Sequence, residues 1–143
     1  MAERRPQGEA LSEEEIQDLL RVAHAAAIIA HSPYSKVQTG AALLTVDGQV
    51  FTGCTVENAS FGLSTCAERV AVLKSVSAGV RRFRALAVAT TLDRPVLPCG
   101  ACRQVLREFA EDLAVICQGR EGPRVQARLV ELLPRPFLPS DAG

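Results

Sequence analysis

Two short cysteine groups constrain this chain more than any other feature. Cys66-Ala67-Glu68-Arg69 and Pro98-Cys99-Gly100-Ala101-Cys102 each stand where a loop gives way to a helical pattern. A helix N-terminus carries partial positive charge and unpaired N–H groups, which favour thiolate over thiol. Cys99 and Cys102 are three residues apart, so they share a face of one turn and can grip a single ion. Cys66 has to reach that ion from the start of a neighbouring helix. A fold that satisfies all three sulfurs must therefore bring two helix N-termini together.

The flanking pattern supplies such a fold. Ser12 with Glu15 three residues later is a capping box, and Ile16, Leu19, Leu20, Ala23 and Ala27 follow at helical spacing. This helix should stop ahead of Pro33, because the residue before a proline avoids the helical region. Residues 41–46 and 49–52 flank Asp47-Gly48, a hairpin signal in which both turn residues adopt positive φ. A second helix is predicted from Cys66 to about Ser77, and a buried strand over Ala85–Ala89. A third helix is predicted from Gly100 to about Asp112, then strands at Ala114–Cys117 and Val125–Leu129. Strands alternating with helices after an opening hairpin imply an α/β fold, a mixed sheet with helices on both faces. Residues 1–11 are expected to be disordered, residues 12–143 to form one domain, and the tail from Pro134 to be extended.

Composition narrows the partners. The 143 residues fit one domain, and sixteen basic side chains balance sixteen acidic ones. A duplex-binding surface needs a basic face, so a nucleic acid polymer is not an expected partner. The longest apolar run, Ala25–Ala30, is too short to span a bilayer, and no membrane partner is expected. The N-terminus reads as polar and charged rather than as a targeting signal, which makes a cytoplasmic enzyme the expectation. Five cysteines, Cys54, Cys66, Cys99, Cys102 and Cys117, suggest free thiols or metal ligands rather than bridges.

Three ligands rather than four decide what a metal could do. Structural zinc sites fill all four tetrahedral positions with protein atoms, whereas catalytic ones leave a position for water. Zinc lowers the pKa of that water from about 15.7 to about 7 in favourable sites. Three thiolates leave the centre anionic and oppose this, so nearby positive charge should help, and Arg69 and Arg103 are the candidates. Glu68 can converge on the metal with Cys66 only if Cys66 is the helix cap, because residues i and i+2 of a regular helix point apart. A carboxylate so placed could move a proton from water to a substrate.

Each feature also has a plainer reading. Thr65 and Glu68 match a capping box, which needs no catalysis. Cys99-x-x-Cys102 alone could be a structural half-site or a redox pair. Cys54 or Cys117 could close the fourth position, although both lie in apolar β runs where a small buried hydrophobe is the commoner role.

The combination is more specific than its parts. Zinc nucleobase deaminases carry H-x-E followed by P-C-x-x-C, with Cys allowed for the His. This chain has Cys66-x-Glu68 and Pro98-Cys99-x-x-Cys102, and it resembles the small homotetrameric cytidine deaminases over about Pro33 to Leu133. Further matches are Pro33-Tyr34-Ser35, Gly40-Ala41-Ala42-Leu43, Gly53-Cys54, Glu57-Asn58-Ala59 and Arg103-Gln104-Val105, with Glu131-Leu132-Leu133-Pro134 like the family's C-terminal segment.

The resemblance implies a three-layer α/β/α sandwich with a five-stranded mixed sheet, and one Zn2+ per subunit on Cys66, Cys99 and Cys102. It implies Glu68 as the proton shuttle, Ala67 as a backbone donor to the base and Glu57 as an acceptor for a ribose hydroxyl. It also implies a homotetramer whose neighbouring subunits complete each pocket with Phe61 or Phe137. Two positions depart from the pattern: Val37 replaces a phenylalanine of the base pocket, and Thr55 replaces an asparagine that helps hold the sugar. The implied reaction is hydrolytic deamination of cytidine or deoxycytidine to uridine or deoxyuridine with release of ammonia, in pyrimidine salvage. The alternatives are deamination of a modified cytosine nucleoside such as a blasticidin-type antibiotic, and a zinc-stabilised module without turnover.

Overall fold

The computed structural model describes residues 10–142. The order is α1 (Glu13–Ile28), β1 (Thr39–Thr45), β2 (Val50–Cys54), α2 (Ala67–Ser77), β3 (Phe83–Thr90), α3 (Gly100–Phe109), β4 (Ala114–Gln118), β5 (Arg124–Arg128) and α4 (Leu129–Leu132). Single 3-10 turns lie at Phe61–Leu63 and Pro139–Ala142. The five strands form one mixed sheet in the order β2-β1-β3-β4-β5. Only β3 and β4 pair in parallel; the other three pairings are antiparallel.

Alternation along the strands divides the core into two layers. Ala42, Leu44, Ala85, Ala87, Ala89 and Ile116 meet α1 on one face. Ala41, Leu43, Leu86, Val88, Val115 and Cys117 face the other way, toward Ala67, Ala71 and Val72 of α2 and Leu106 of α3. The expected α/β/α sandwich is thus present. Two glycines permit its close helix–sheet contacts. A Cβ on Gly40 would lie 2.1 Å from the Ala23 carbonyl of α1, and one on Gly53 would lie 2.2 Å from the Ala67 carbonyl of α2. Gly53 therefore lets the first turn of α2 press onto the sheet, and that turn carries Ala67 and Glu68.

The predicted cap of α1 is present in full. Ser12 Oγ accepts from the Glu15 N–H at 3.1 Å, and Glu15 Oε1 accepts from the Ser12 N–H at 3.1 Å. Glu15 also forms an ion pair with Arg84, whose side chain is buried beneath the helix start. Of the eleven residues expected to be disordered, residues 1–9 lie outside the described residues. Ala10 and Leu11 are placed: the Ala10 carbonyl accepts from Arg84 at 3.3 Å, and Leu11 packs on the α1 layer.

The structure differs from the sequence reading in local details: the tail expected to be extended ends in a 3-10 turn at Pro139–Ala142, and Leu129, expected in the last strand, opens α4. At the hairpin, Gly48 has φ 84°, but Asp47 is not in the left-handed region. The Gly48 N–H bonds the Thr45 carbonyl and the Thr45 N–H bonds the Gln49 carbonyl, at 3.1 and 2.9 Å. This is a longer loop closed by glycine, in which only the last position needs positive φ. Helix α3 ends at Phe109 rather than near Asp112. Asp112 instead accepts from Arg128 Nε at 2.6 Å and the Val130 N–H at 3.2 Å, tying the loop to β5 and α4.

Candidate metal centre

Cys66 and Cys99 are the N-caps of α2 and α3, both with extended backbone and neither with a side-chain capping bond. The cap position is what allows Cys66 and Glu68 to face one site. Cys102 lies in the first turn of α3 and is fully buried. The sulfurs of Cys66, Cys99 and Cys102 all lie within 4.8 Å of one another. Cys66 and Cys99 are 3.9 Å apart, and Cys99 and Cys102 are 3.4 Å apart. A tetrahedral ion with Zn–S bonds of ~2.3 Å separates its sulfurs by ~3.8 Å, so the cluster fits zinc.

Among the described residues no other cysteine joins this cluster. Cys54 Sγ instead faces the Ile29 carbonyl at 3.9 Å. Cys117 is buried in β4, and burial pushes its thiol up to about 12, with the nearby Glu68 charge adding to the rise. Neither closes the fourth position.

The electrostatics lower the thiol at one corner and raise the carboxyl beside it. The neighbouring Cys102 draws the Cys66 thiol down to about 5, against burial and with help from Arg69. The same interaction pushes Cys102 up, and burial adds to this. Arg69 Nη2 donates to Cys66 Sγ at 3.4 Å, and its own pKa is raised chiefly by that bond. Its Nε is buried without a partner. Glu68 is only 5% exposed. Burial raises its carboxyl above the usual range; its own backbone N–H opposes this, and the charge on Cys66 reinforces it. Thr65 is not the cap, and its hydroxyl faces the Leu63 carbonyl, so the Thr65–Glu68 capping box does not form.

Arg103, the second arginine expected to balance charge, directs its donors away from the sulfurs. Its Nε donates to the Pro98 carbonyl at 2.7 Å and its Nη1 to the Leu132 carbonyl at 2.8 Å. These bonds turn it onto backbone carbonyls rather than onto a sulfur.

Beside Cys66 opens a cavity of about 380 Å³ whose walls include Tyr34, Ser35, Thr55, Glu57 and Phe61. Glu57 Oε1 accepts from the N–H groups of Tyr34 and Ser35 at 2.9 and 3.2 Å. Its carboxyl is held below the ordinary range, first by the Ser35 side chain. Thr55 presents its hydroxyl to the Thr39 carbonyl at 3.5 Å. Ala67 is fully buried at the first position of α2, where an N–H has no partner within its helix. Phe61, expected from a neighbouring subunit, lines the cavity of its own chain and meets Tyr34 edge-on at 5.7 Å. Val37 is half-buried on the loop after Ser35 and does not line this cavity. Phe137 is exposed, its backbone bound to Gln104 on α3.

Sequence reasoning gave Tyr34 and Ser35 no role. The signal was the Pro33-Tyr34-Ser35 match together with Glu57, whose acceptor function joins segments more than twenty residues apart.

Fold and site together are those of a zinc protein: three cysteine sulfurs at two helix starts that could hold one ion, with a buried acid in the first turn of α2. The sequence profile of the cytidine and deoxycytidylate deaminase zinc-binding region matches residues 13–118. The chain is 45% identical over 113 residues to the cytidine deaminase of Sporosarcina psychrophila, covering 78% of this chain and 83% of that one. It is 42% identical over 132 residues to a probable cytidine deaminase of Dictyostelium discoideum, covering 92% and 89%. Its fold matches the crystal structure of cytidine deaminase from Burkholderia pseudomallei with a TM-score of 0.82 at 42% identity, over 89% of this chain and 100% of that one. The Mycobacterium tuberculosis enzyme gives a TM-score of 0.75 at 42% identity, over 85% and 95%. The chain belongs to the cytidine and deoxycytidylate deaminase family. Among the described residues no helix is long and apolar enough to cross a membrane.

Proposed function

We infer that this chain is a zinc-dependent hydrolase that deaminates cytosine nucleosides, cytidine and deoxycytidine, to the uracil nucleosides and ammonia. The observation that carries this reading is the convergence of three sulfurs with a buried acid at two helix starts, beside a cavity of about 380 Å³. Cys66, Cys99 and Cys102 hold the metal. Zinc bound there supplies Lewis acidity toward water.

The remaining work falls to the chain's own residues. Glu68 takes a proton from the attacking water as its oxygen bonds C4 of the base, and delivers that proton to N3. A second proton, from the new hydroxyl, passes by way of Glu68 to the amino group, the C4–N bond breaks, and ammonia leaves. The raised carboxyl pKa suits a group that must hold a proton between these steps. The Ala67 N–H orients the base and Glu57 accepts from a sugar hydroxyl. Arg69 offsets the thiolate charge, and Arg69→Gln is expected to lower both zinc occupancy and turnover. Thr55, in the cavity wall, tunes the fit of the sugar.

A homotetramer is part of the proposal. Phe61 in the cavity wall and Leu63 on the same turn are 73 and 67% exposed, and Leu73 of α2, which lines a second, apolar cavity with Phe51 and Val56, is 58% exposed, apolar surface that association would bury. Phe137 would then serve a neighbour's pocket. Metal ligands that must stay reduced support a cytoplasmic setting. The test is ammonia release from zinc-loaded protein over a panel of cytosine and adenine nucleosides. Release from cytidine and deoxycytidine is expected. Release from a modified cytosine nucleoside alone would move the substrate assignment, and no release from any would leave a structural module.

A further inference from the structure

Arg103 follows Cys102 directly, yet it binds two backbone carbonyls from distant parts of the chain. Pro98 is fully buried and immediately precedes Cys99. Leu132 is the last residue of α4, where helical carbonyls lack partners of their own. A planar guanidinium holds both acceptors in a fixed relation, which a flexible ammonium could not do. The next residue continues the connection. Gln104 Nε2 donates to the Phe137 carbonyl at 2.8 Å, and its Oε1 accepts from the Phe137 N–H at 3.1 Å. Consecutive side chains of α3 thus tie α4 and the segment after it to the helix that carries two of the three sulfurs.

The three sulfurs are not equally supported. Cys102 is buried in the core, and Cys66 is half-buried and receives Arg69. Cys99 is exposed and has no side-chain capping bond. Its backbone is gripped by Arg103 on two sides. The Arg103 N–H donates to the Cys99 carbonyl at 3.0 Å, and the guanidinium holds the carbonyl just upstream at 2.7 Å. We propose that Arg103 is a positioning residue that fixes the Cys99 corner of the metal site, and that its bond to Leu132 makes metal retention depend on the docking of α4. This role presupposes the three-cysteine zinc site and adds to it a link between the metal and the C-terminal segment.

The test uses full-length, zinc-loaded protein. The readouts are zinc transfer to a chromogenic chelator, the absorption spectrum of the cobalt-substituted form, and the unfolding midpoint of the metal-free form. Groups that orient metal ligands typically contribute about 10- to 100-fold in affinity. Arg103→Gln is expected to release zinc at least about 10-fold faster and to shift the cobalt bands. Gln104→Ala, which frees only Phe137, is expected to release zinc at the wild-type rate. If Arg103→Gln fails to fold, Arg103→Lys carries the test, since a lysine reaches one carbonyl at a time and should release zinc at an intermediate rate. A folded variant at position 103 with the wild-type release rate and unchanged cobalt bands, whatever its metal-free midpoint, overturns the role. Wild-type protein that takes up neither zinc nor cobalt overturns the three-cysteine site itself, and the role of Arg103 falls with it.

Discussion

The first helix and the two cysteine-capped helices begin in opposite ways. At α1, Ser12 and Glu15 satisfy each other's backbone donors, and three acidic residues complement the dipole. At α2 and α3 the caps are cysteines that make no side-chain capping bond. Cysteine is not among the favoured cap residues, so each of those starts gives up stabilisation of about 1 kcal/mol that Ser or Asp would supply. What they gain is a pair of helix N-termini aimed at one cluster of sulfurs. One end of the fold obeys the local rules and the other breaks them, and the departures mark the site.

The largest effect expected from breaking this contrast is on chemistry. Glu68→Gln keeps the shape of the buried side chain and removes its ability to carry a proton. Cytidine turnover should fall by roughly 10²- to 10⁴-fold, while zinc content by metal analysis stays at wild-type level. Loss of zinc together with activity would show that Glu68 supports the metal rather than the proton transfer.

Next in size is a trade between metal and cap. Cys66→Ser replaces a ligand with a good cap residue. The variant should lose tight zinc binding, and its metal-free form should unfold about 4 °C above metal-free wild type, the equivalent of roughly 1 kcal/mol. Chelator should lower the midpoint of zinc-loaded wild type and leave the variant unmoved. A metal-free variant no more stable than wild type would mean that the cysteine caps cost nothing. Ser12→Ala tests the other side of the comparison. It should lower stability by about 1 kcal/mol in chemical denaturation and leave zinc release and turnover unchanged.

The same contrast explains what could be read from sequence. Ser12 with Glu15, Gly48 and the cap positions of Cys66 and Cys99 act through neighbours within a few residues, and such local rules carry over directly. The partners of Arg103 were not legible because its second acceptor lies 29 residues away in sequence, and position next to a motif says nothing about which acceptor a long side chain reaches. Asp112 looked helical for the same reason, its partners being Arg128 and Val130. Tyr34 and Ser35 went unassigned because Glu57, the group that holds them, arrives only when the loops meet. The cysteine cluster was legible because its members are an unusual residue type at constrained spacing, whereas the cavity wall is built of ordinary residues brought together by topology.

The smallest effect lies at the α1 start and depends on pH. Glu13 forms an ion pair with Arg124 of β5, and its carboxyl is held below the usual range first by that bond and then by Gln17. The folded state therefore gives up this proton more readily than the unfolded chain. Between the two pKa values the unfolded chain binds more protons, so stability rises with pH. The contribution is present above the ordinary value of 4.5 and is lost as pH falls through the lower folded value. Wild type should be slightly more stable than Glu13→Gln at neutral pH, and the two should converge in acid. Because the Glu13 side chain is 60% exposed, added salt should shrink the neutral-pH gap. A gap that persists in acid would mean that Glu13 stabilises α1 by something other than its charge, and zinc release should be identical in the two proteins at every pH where both are folded.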